Sequence, residues 1–217
     1  MPRFFLPKAE MCRGEILSLP AEMRHHLNTV LRMPVGAEIE LLNGAGLIAG
    51  AVVLSDGMAE VQSVKRVAAA ACAISLIQGL PKGDKLELVL QKGTELGVNR
   101  FLPTRMARSV GQLKAERQQK RLERWGKIIQ SAACQCGQPY LPELQLSSSL
   151  EDSLALVAAD FKLMLWEESA RPLEQLLPKN RPREVAVLVG PEGGISEEEA
   201  QKAQQAGYQP VSLGPRI

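Results

Sequence analysis

The sequence predicts an α/β protein in two parts: a small β-rich unit over residues 1–70, then a parallel-type sheet with helices on its faces over 71–217. Three observations carry this. Short apolar runs separated by turn dipeptides fill the first part. From Cys72 onward, strand-like and helix-like patterns alternate. Val185-Ala-Val-Leu-Val189, five apolar residues in a row, reads as a strand buried on both faces, the kind a parallel sheet uses.

In order, Phe4–Leu6, Ile16–Leu19, Ile39–Leu42, Leu47–Leu54 and Ala59–Val64 are the expected strands of the first part. Asn43-Gly44 and Asp56-Gly57 are hairpin dipeptides. One helix, Ala21 to Arg32, interrupts them, with Leu27, Val30 and Leu31 as its apolar face and Pro34 beyond its end. Strands in this number with one short helix suggest a small barrel. Val67–Ala73, rich in alanine, reads as the joint.

In the second part, Ala73–Ile77 is a strand. Asp84 with Glu87 reads as a capping box opening a helix, with Leu86, Val89, Leu90 and Leu96 on one side and Gly97 at its end. Val98–Leu102 is a strand closed by Pro103. Arg117–Cys136 is a long helix burying Leu122, Trp125, Ile128, Ile129 and Ala132, stopped by Gly137. Leu150–Ala159 is a helix, Lys162–Trp166 a strand, Pro172–Leu177 a short helix and Pro210–Leu213 the last strand. After Val189 the chain turns on Gly190-Pro191 and Gly193-Gly194. Ser196 with Glu199 forms a second capping box, starting a helix that Gly207 ends.

A strand, a glycine-rich turn and a capped helix together make a ligand site beyond the carboxyl ends of the strands. Phosphate is a poor fit. Glu192 stands inside the loop, Glu197 to Glu199 crowd the helix start, and no Lys lies in the turn, so neither the P-loop nor the dinucleotide fingerprint is matched. A ligand with little negative charge, such as an adenosine carrying a sulfonium, fits better. The alternative is a tight structural turn.

An apolar fraction of 45% with 23% charged residues is ordinary for a globular protein. No apolar run approaches membrane-spanning length, and Met1–Pro7 lacks the apolar core of a signal peptide, so a cytoplasmic protein with no membrane partner is expected. The four cysteines read as reduced thiols. Cys134 and Cys136 point to different sides of their helix, and the adjacent His25 and His26 cannot both face one ion, so no metal is expected. The histidine alternatives are one buried and one exposed ring, or a surface touching RNA through Arg24 and Arg32. Net charge is +2, yet between Arg100 and Lys127 nine Lys/Arg face two acids. That excess suits a phosphate backbone; its alternative is a solvated helix face.

Several segments then line up in one order: His26-Leu-Asn-Thr-Val-Leu-Arg32, Lys82-Gly-Asp-Lys85, Gln91-Lys-Gly-Thr-Glu-Leu-Gly-Val98, Arg108-Ser109, Ala132-Ala-Cys-Gln-Cys-Gly137, Gly190-Pro-Glu-Gly-Gly194 and Ser212-Leu-Gly-Pro-Arg-Ile217. With these, the chain resembles the RsmE family, bacterial methyltransferases that act on a uridine N3 of 16S ribosomal RNA in the small subunit. The resemblance implies a PUA-like barrel followed by a SPOUT domain whose C-terminal part is tied in a trefoil knot, and a homodimer. It implies S-adenosylmethionine as methyl donor, bound by Leu165, Trp166 and Glu167, by Val189, Gly190, Pro191, Glu192, Gly193 and Gly194, and by Leu213, Gly214 and Ile217.

For the chemistry, Arg216 is expected to stabilise the uracil oxygens, with pairing to Glu192 or a backbone carbonyl as its alternative. Glu192 is the candidate base, or else only a hydrogen-bonding residue of the loop. RNA is expected on Arg3, Arg24, His26, Arg32, Lys92, Arg105 and Arg108, and along the Arg100–Lys127 stretch. Three departures bear on RNA or substrate contacts: Ala107 and Cys134 where the family usually has Glu, and Gln138 where it usually has Arg. The family also continues after Ile217 with Leu-Arg-x-Glu-Thr-Ala, so a chain ending at Ile217 is expected to bind donor poorly. The other readings are a SPOUT methyltransferase acting on another RNA such as tRNA, and a non-catalytic RNA-binding or ribosome-assembly protein.

Overall fold

The computed structural model describes residues 1–7, 10–109, 115–168 and 171–214, with residues 115–117 by backbone only. The chain divides into two compact units, Met1–Ala69 with Gln130–Leu141, and Ala70–Ile129 with Pro142–Ile217. The excursion of Gln130–Leu141 into the first unit has no signal in the sequence.

The first unit is a five-stranded sheet of β1 (Arg3–Phe5), β2 (Ile16–Ser18), β3 (Glu38–Leu42), β4 (Leu47–Val53) and β5 (Met58–Arg66) in the order β1-β3-β4-β5-β2. Only β1–β3 is parallel. In β4, Leu47, Ala49, Ala51 and Val53 are buried while the residues between them are half-buried, the alternation of a sheet packed on one face. They pack with Leu17, Ile39, Leu41, Val61 and Leu27 into one core. Asn43 Oδ1 closes the β3–β4 turn by accepting from the Ala45 and Leu47 amides at 2.8 and 2.9 Å. The second hairpin turns on Asp56 and Gly57, both at positive φ.

The expected helix over Ala21–Arg32 is corrected in its second half. After α1 (Ala21–His25) the chain widens into a π-helical turn, His26–Val30, where the Leu31 amide reaches the His26 carbonyl. The wider winding carries Val30 and Leu31 off the face that Met23 and Leu27 bury, and Val30 is 62% exposed. Neither histidine is buried. His25 shares a hydrogen bond with Thr29 Oγ1, and His26 meets the Phe4 ring edge-on.

The second unit is an all-parallel sheet in the order β11-β9-β10-β6-β7-β8. Its strands are β6 (Ala73–Gly79), β7 (Arg100–Thr104), β8 (Glu143–Leu144), β9 (Phe161–Leu165), β10 (Glu184–Val189) and β11 (Gln209–Val211). The connections carry α2 (Lys85–Glu95), α3 (Ala115–Cys136), α4 (Leu150–Leu156) and α5 (Glu197–Gln205). As expected from its five apolar residues, β10 is central. Ala186 and Leu188 enter one core, with Ile77, Leu102, Met164 and Tyr208, while Val185 packs on another, with Phe161, Leu163 and Val211.

Several local expectations are corrected here. Asp84 makes no side-chain cap; Glu87 instead pairs with Arg124 at 2.8 Å. Leu96 is 81% exposed, because the buried face of α2 follows Leu86, Leu90, Gly93 and Thr94 and Leu96 lies past the last turn. Pro103 lies inside β7. Its carbonyl accepts from the Ser147 amide, so the ring's missing N–H falls on the irregular flank beyond β8, and the pairing with β6 is kept. Leu150–Ala159 shortens to α4, and Pro172–Leu177 to a single 3₁₀ turn, Leu173–Gln175.

Candidate functional site

The loop between β10 and α5 is held by several long-range polar contacts. Capping works as the sequence predicts: Ser196 Oγ accepts from the Glu199 amide, and Glu199 Oε2 accepts from the Ser196 amide at 3.1 Å. Gly190–Gly194 is then held from outside at several points. Gln78, buried at the end of β6, donates Nε2 to the Gly190 carbonyl at 3.2 Å. Arg108 Nη1 donates to the Gly193 carbonyl at 2.9 Å. The Glu192 carboxylate accepts from the Lys82 amide at 3.1 and 3.2 Å and from Lys85 Nζ at 2.7 Å. Glu199 Oε1 accepts from the Ala107 amide at 2.7 Å.

Packing explains the glycines. A Cβ on Gly79 would stand 2.6 Å from Pro191 Cδ and 2.8 Å from Met106 Sδ, so only a glycine lets the loop lie this close on β6. Gly194 has φ near +74°, and a Cβ there would stand 2.6 Å from Glu167 Oε1.

Held this way, the inner side of the loop faces a cavity of about 190 Å³ at the carboxyl ends of three parallel strands. Leu165, Trp166 and Glu167 line it from the end of β9. Val189, Gly190, Pro191 and Gly194 line it from the loop, and Val211, Ser212 and Leu213 from the end of β11. The segments singled out in the sequence thus converge, although Glu192, Gly193 and Gly214 are not among the lining residues. Glu192 and Gly193 do not line the cavity: Glu192 reaches the start of α2 and Gly193 turns its carbonyl to Arg108. Gly214 follows Leu213 with its amide on Ser212 Oγ. Arg216 and Ile217 lie outside the described residues.

The hydrogen bond from Lys85, followed by the backbone amide of Glu192 itself and then that of Lys82, holds the Glu192 carboxyl down at about 2. A carboxylate so stabilised is a poor proton acceptor, which favours the loop-holding role over the base.

The expected RNA contacts fall in both units. Arg105 and Arg108 sit on the turn after β7, beside the glycine loop. Arg105 is exposed; its amide donates to the Ser147 carbonyl at 3.3 Å, and its side chain makes no hydrogen bond or ion pair with the described residues. Lys92, on α2, pairs with Glu95 at 2.8 Å. In the first unit, Arg3 pairs with Glu40 at 2.7 Å and donates to the Gln135 carbonyl. Arg24 lies over Gly57 and lines an open groove of about 840 Å³ with His25, Asn28 and Asp56. Arg32 is exposed and, like Asp56, a non-glycine residue at positive φ. Of the basic stretch, Arg100 is engaged by Glu143, Gln145 and the Leu156 carbonyl, and Arg124 by Glu87, so both serve the fold. Lys114 lies outside the described residues. Gln78, Lys85, Val211 and Ser212 had not been singled out as site residues. Gln78 carried a faint signal, a lone amide ending an apolar strand.

Among the described residues there is no cluster of His, Cys, Asp or Glu able to hold a metal, and no helix is long and apolar enough to cross a membrane. All four cysteines are free thiols.

Residues 68–217 match the family model described as an RNA methyltransferase domain. The chain belongs to this RNA methyltransferase family. It is 31% identical to the ribosomal RNA small subunit methyltransferase E of Bacillus subtilis, over all of this chain and 90% of that protein. Two solved structures share the family's architecture along essentially the whole length. The enzyme of the same name from Neisseria gonorrhoeae, bound to S-adenosyl methionine, has a TM-score of 0.90 at 33% identity, covering 100% of this chain and 90% of that one. A putative methyltransferase from Legionella pneumophila, in complex with the cofactor SAM, has a TM-score of 0.90 at 32% identity, covering 99% and 90%.

Proposed function

We propose that this chain transfers a methyl group from S-adenosylmethionine to N3 of a uridine in 16S ribosomal RNA. The observation that carries the reading is the cavity at the ends of β9, β10 and β11, walled by loop backbone and apolar side chains, in a chain of an RNA methyltransferase family. Leu165, Val189, Val211 and Leu213 offer apolar walls for a purine. The Glu167 carboxylate beside Gly194 can accept from ribose hydroxyls or face a sulfonium. At about 190 Å³ the cavity is smaller than the roughly 300–1,000 Å³ of most small-molecule pockets, so it takes one end of the donor. Glu192 and Gly193 then act from outside, shaping the loop that Val189–Gly194 presents. Gly214 and Ile217 extend the third donor-binding segment.

Methylation at N3 removes the imide proton, forms an N–C bond and breaks the C–S bond, releasing S-adenosylhomocysteine. No metal is required. The protein supplies alignment of the nitrogen with the methyl and electrostatic support for charge on the uracil oxygens. Arg216 is the candidate for that support. Glu192, held ionised by Lys85, serves the loop. RNA phosphates are held by Arg105 and Arg108, with Arg3, Arg24, His26, Arg32 and Lys92 as further contacts.

The reading includes a PUA-like barrel in residues 1–70, a SPOUT knot in 71–217, a homodimer and a cytoplasmic site of action. It is tested by incubating the protein with labelled donor and 16S RNA, then digesting the RNA to nucleosides. Label in N3-methyluridine is expected. Label in another nucleoside, or only in tRNA, would move the substrate; RNA binding without transfer would favour the non-catalytic reading.

A further inference from the structure

A capping box occupies one carboxylate oxygen of its glutamate. Glu199 uses both. Oε2 serves the box, while Oε1 accepts the amide of Ala107, 92 residues away, at 2.7 Å. Glu199 is only 7% exposed and its carboxylate's partners are neutral donors: two amides and the Ser196 hydroxyl. Removing a carboxylate this far from water costs free energy that a cap alone does not require. The second oxygen therefore marks an additional structural commitment.

What it holds is a short turn. The Ser109 amide closes on the Met106 carbonyl at 3.0 Å and Ser109 Oγ accepts from the Met106 amide, placing Ala107 and Arg108 at the turn's centre. Two other contacts dock the same turn on the same loop: Arg108 Nη1 on the Gly193 carbonyl, and buried Met106 against Gly79 beside Pro191. Arg105, immediately before the turn, is exposed.

We propose that Glu199 is a positioning residue for the RNA substrate: its carboxylate locks the Arg105–Ser109 turn to the donor loop, presenting Arg105 to an RNA phosphate in fixed register with the methyl donor. This rests on the methyltransferase reading above and adds to it a physical link between the two substrates. The link predicts a kinetic split. Residues 105–109 do not line the donor cavity, so breaking the tether weakens use of RNA and spares donor binding.

Two substitutions separate the tether from the cap. Ala107→Pro deletes the amide that Glu199 accepts and suits the second position of the turn, leaving the Ser196–Glu199 box intact. Ser196→Ala removes the capping hydroxyl and leaves the tether. With 16S RNA and S-adenosylmethionine, Ala107→Pro is expected to lower kcat/KM for RNA about tenfold or more, with donor Kd changed by less than about threefold. Ser196→Ala is expected to lower the melting temperature while leaving kcat/KM for RNA within about twofold. Three results overturn the proposal: RNA kinetics of Ala107→Pro matching the wild type, donor affinity falling in step with RNA use, or Ser196→Ala producing the same RNA defect. A wild-type protein that transfers no methyl overturns the methyltransferase reading as well, and is recognised because it fails before any substitution is made.

Discussion

Two glycine turns in this chain follow strands of similar length and end differently. Asn43–Gly46 joins β3 to β4 and is tied by backbone: Asn43 Oδ1 accepts from the Ala45 and Leu47 amides, the Gly46 amide donates to the Pro139 carbonyl, the Gly44 and Gly46 carbonyls accept from the Leu141 and Val67 amides, and Gly44 and Gly46 have the positive φ a tight reversal demands. Gly190–Gly194 has one internal bond, from the Gly194 amide to the Pro191 carbonyl, and is otherwise held mainly by side chains. Its carbonyls and its one carboxylate are held by Gln78, Arg108, Lys82 and Lys85, and Gly190 and Gly193 are needed for space, not for φ. A turn whose backbone is taken up by neighbouring backbone ends a strand. One braced by side chains on its outer side has its inner backbone left for a ligand. The comparison separates a structural glycine from a site glycine without reference to any relative.

Substitution at the two turns is the strongest way to break the comparison. Gly194→Val places a branched carbon against the Glu167 carboxylate at a φ that valine rarely adopts, and is expected to weaken donor binding roughly 100-fold by calorimetry. Gly44→Ala meets an equal obstacle, with Phe5 Cε2 2.6 Å from the new Cβ at φ near +79°. Its cost should be about 1–3 kcal/mol of stability, with donor Kd unchanged. Were Gly44→Ala to impair donor binding as much as Gly194→Val, the distinction between the turns would collapse.

Smaller in effect is Glu192→Gln. As a brace, the residue supports the loop through its charge on Lys85 and the Lys82 amide. Its loss should raise the donor Kd about tenfold and leave turnover at saturating donor within about threefold. The reverse split, with turnover falling and affinity kept, would restore Glu192 as the base.

Much of this was legible in the sequence, and unevenly so. β10 and α5 were readable because their signals are local: five apolar residues, then Ser196 and Glu199 three apart. The same rule failed at Asp84, where Glu87 finds a cation 37 residues away. Val30 and Leu31 were misread because an α-helical period was assumed where the winding is π, and Pro103 because a breaker was assumed where the missing N–H falls on the irregular flank and the pairing with β6 is kept. The donor-side segments were named through likeness to a family. Their braces were not, since Gln78 and Lys85 meet their partners 112 and 107 residues away, beyond any periodicity.

The basic turn gives a finer test of how the two sides of the loop divide their work. If Arg105 meets an RNA phosphate, Arg105→Glu should flatten the slope of log K for RNA binding against log salt by about one, without changing donor affinity. An unchanged slope would return Arg105 to the solvated surface.

The smallest expected effect concerns pH. The Glu192 carboxyl titrates at about 2 in the folded chain against 4.5 when free, with Lys85 as the first cause. The folded state thus binds its proton more weakly than the unfolded state. The Lys85–Glu192 contact therefore contributes fully above about 4.5 and is lost as pH falls toward about 2. Both side chains reach solvent, so the contribution is modest and falls with added salt. Melting wild type and Lys85→Met in parallel should give a gap that is level from neutral pH down to about 5 and closes in stronger acid. A gap that persisted undiminished there would show that Lys85 braces the loop through the packing of its chain and not its charge. The outer hold on Gly190–Gly194 would then rest on Gln78 and Arg108.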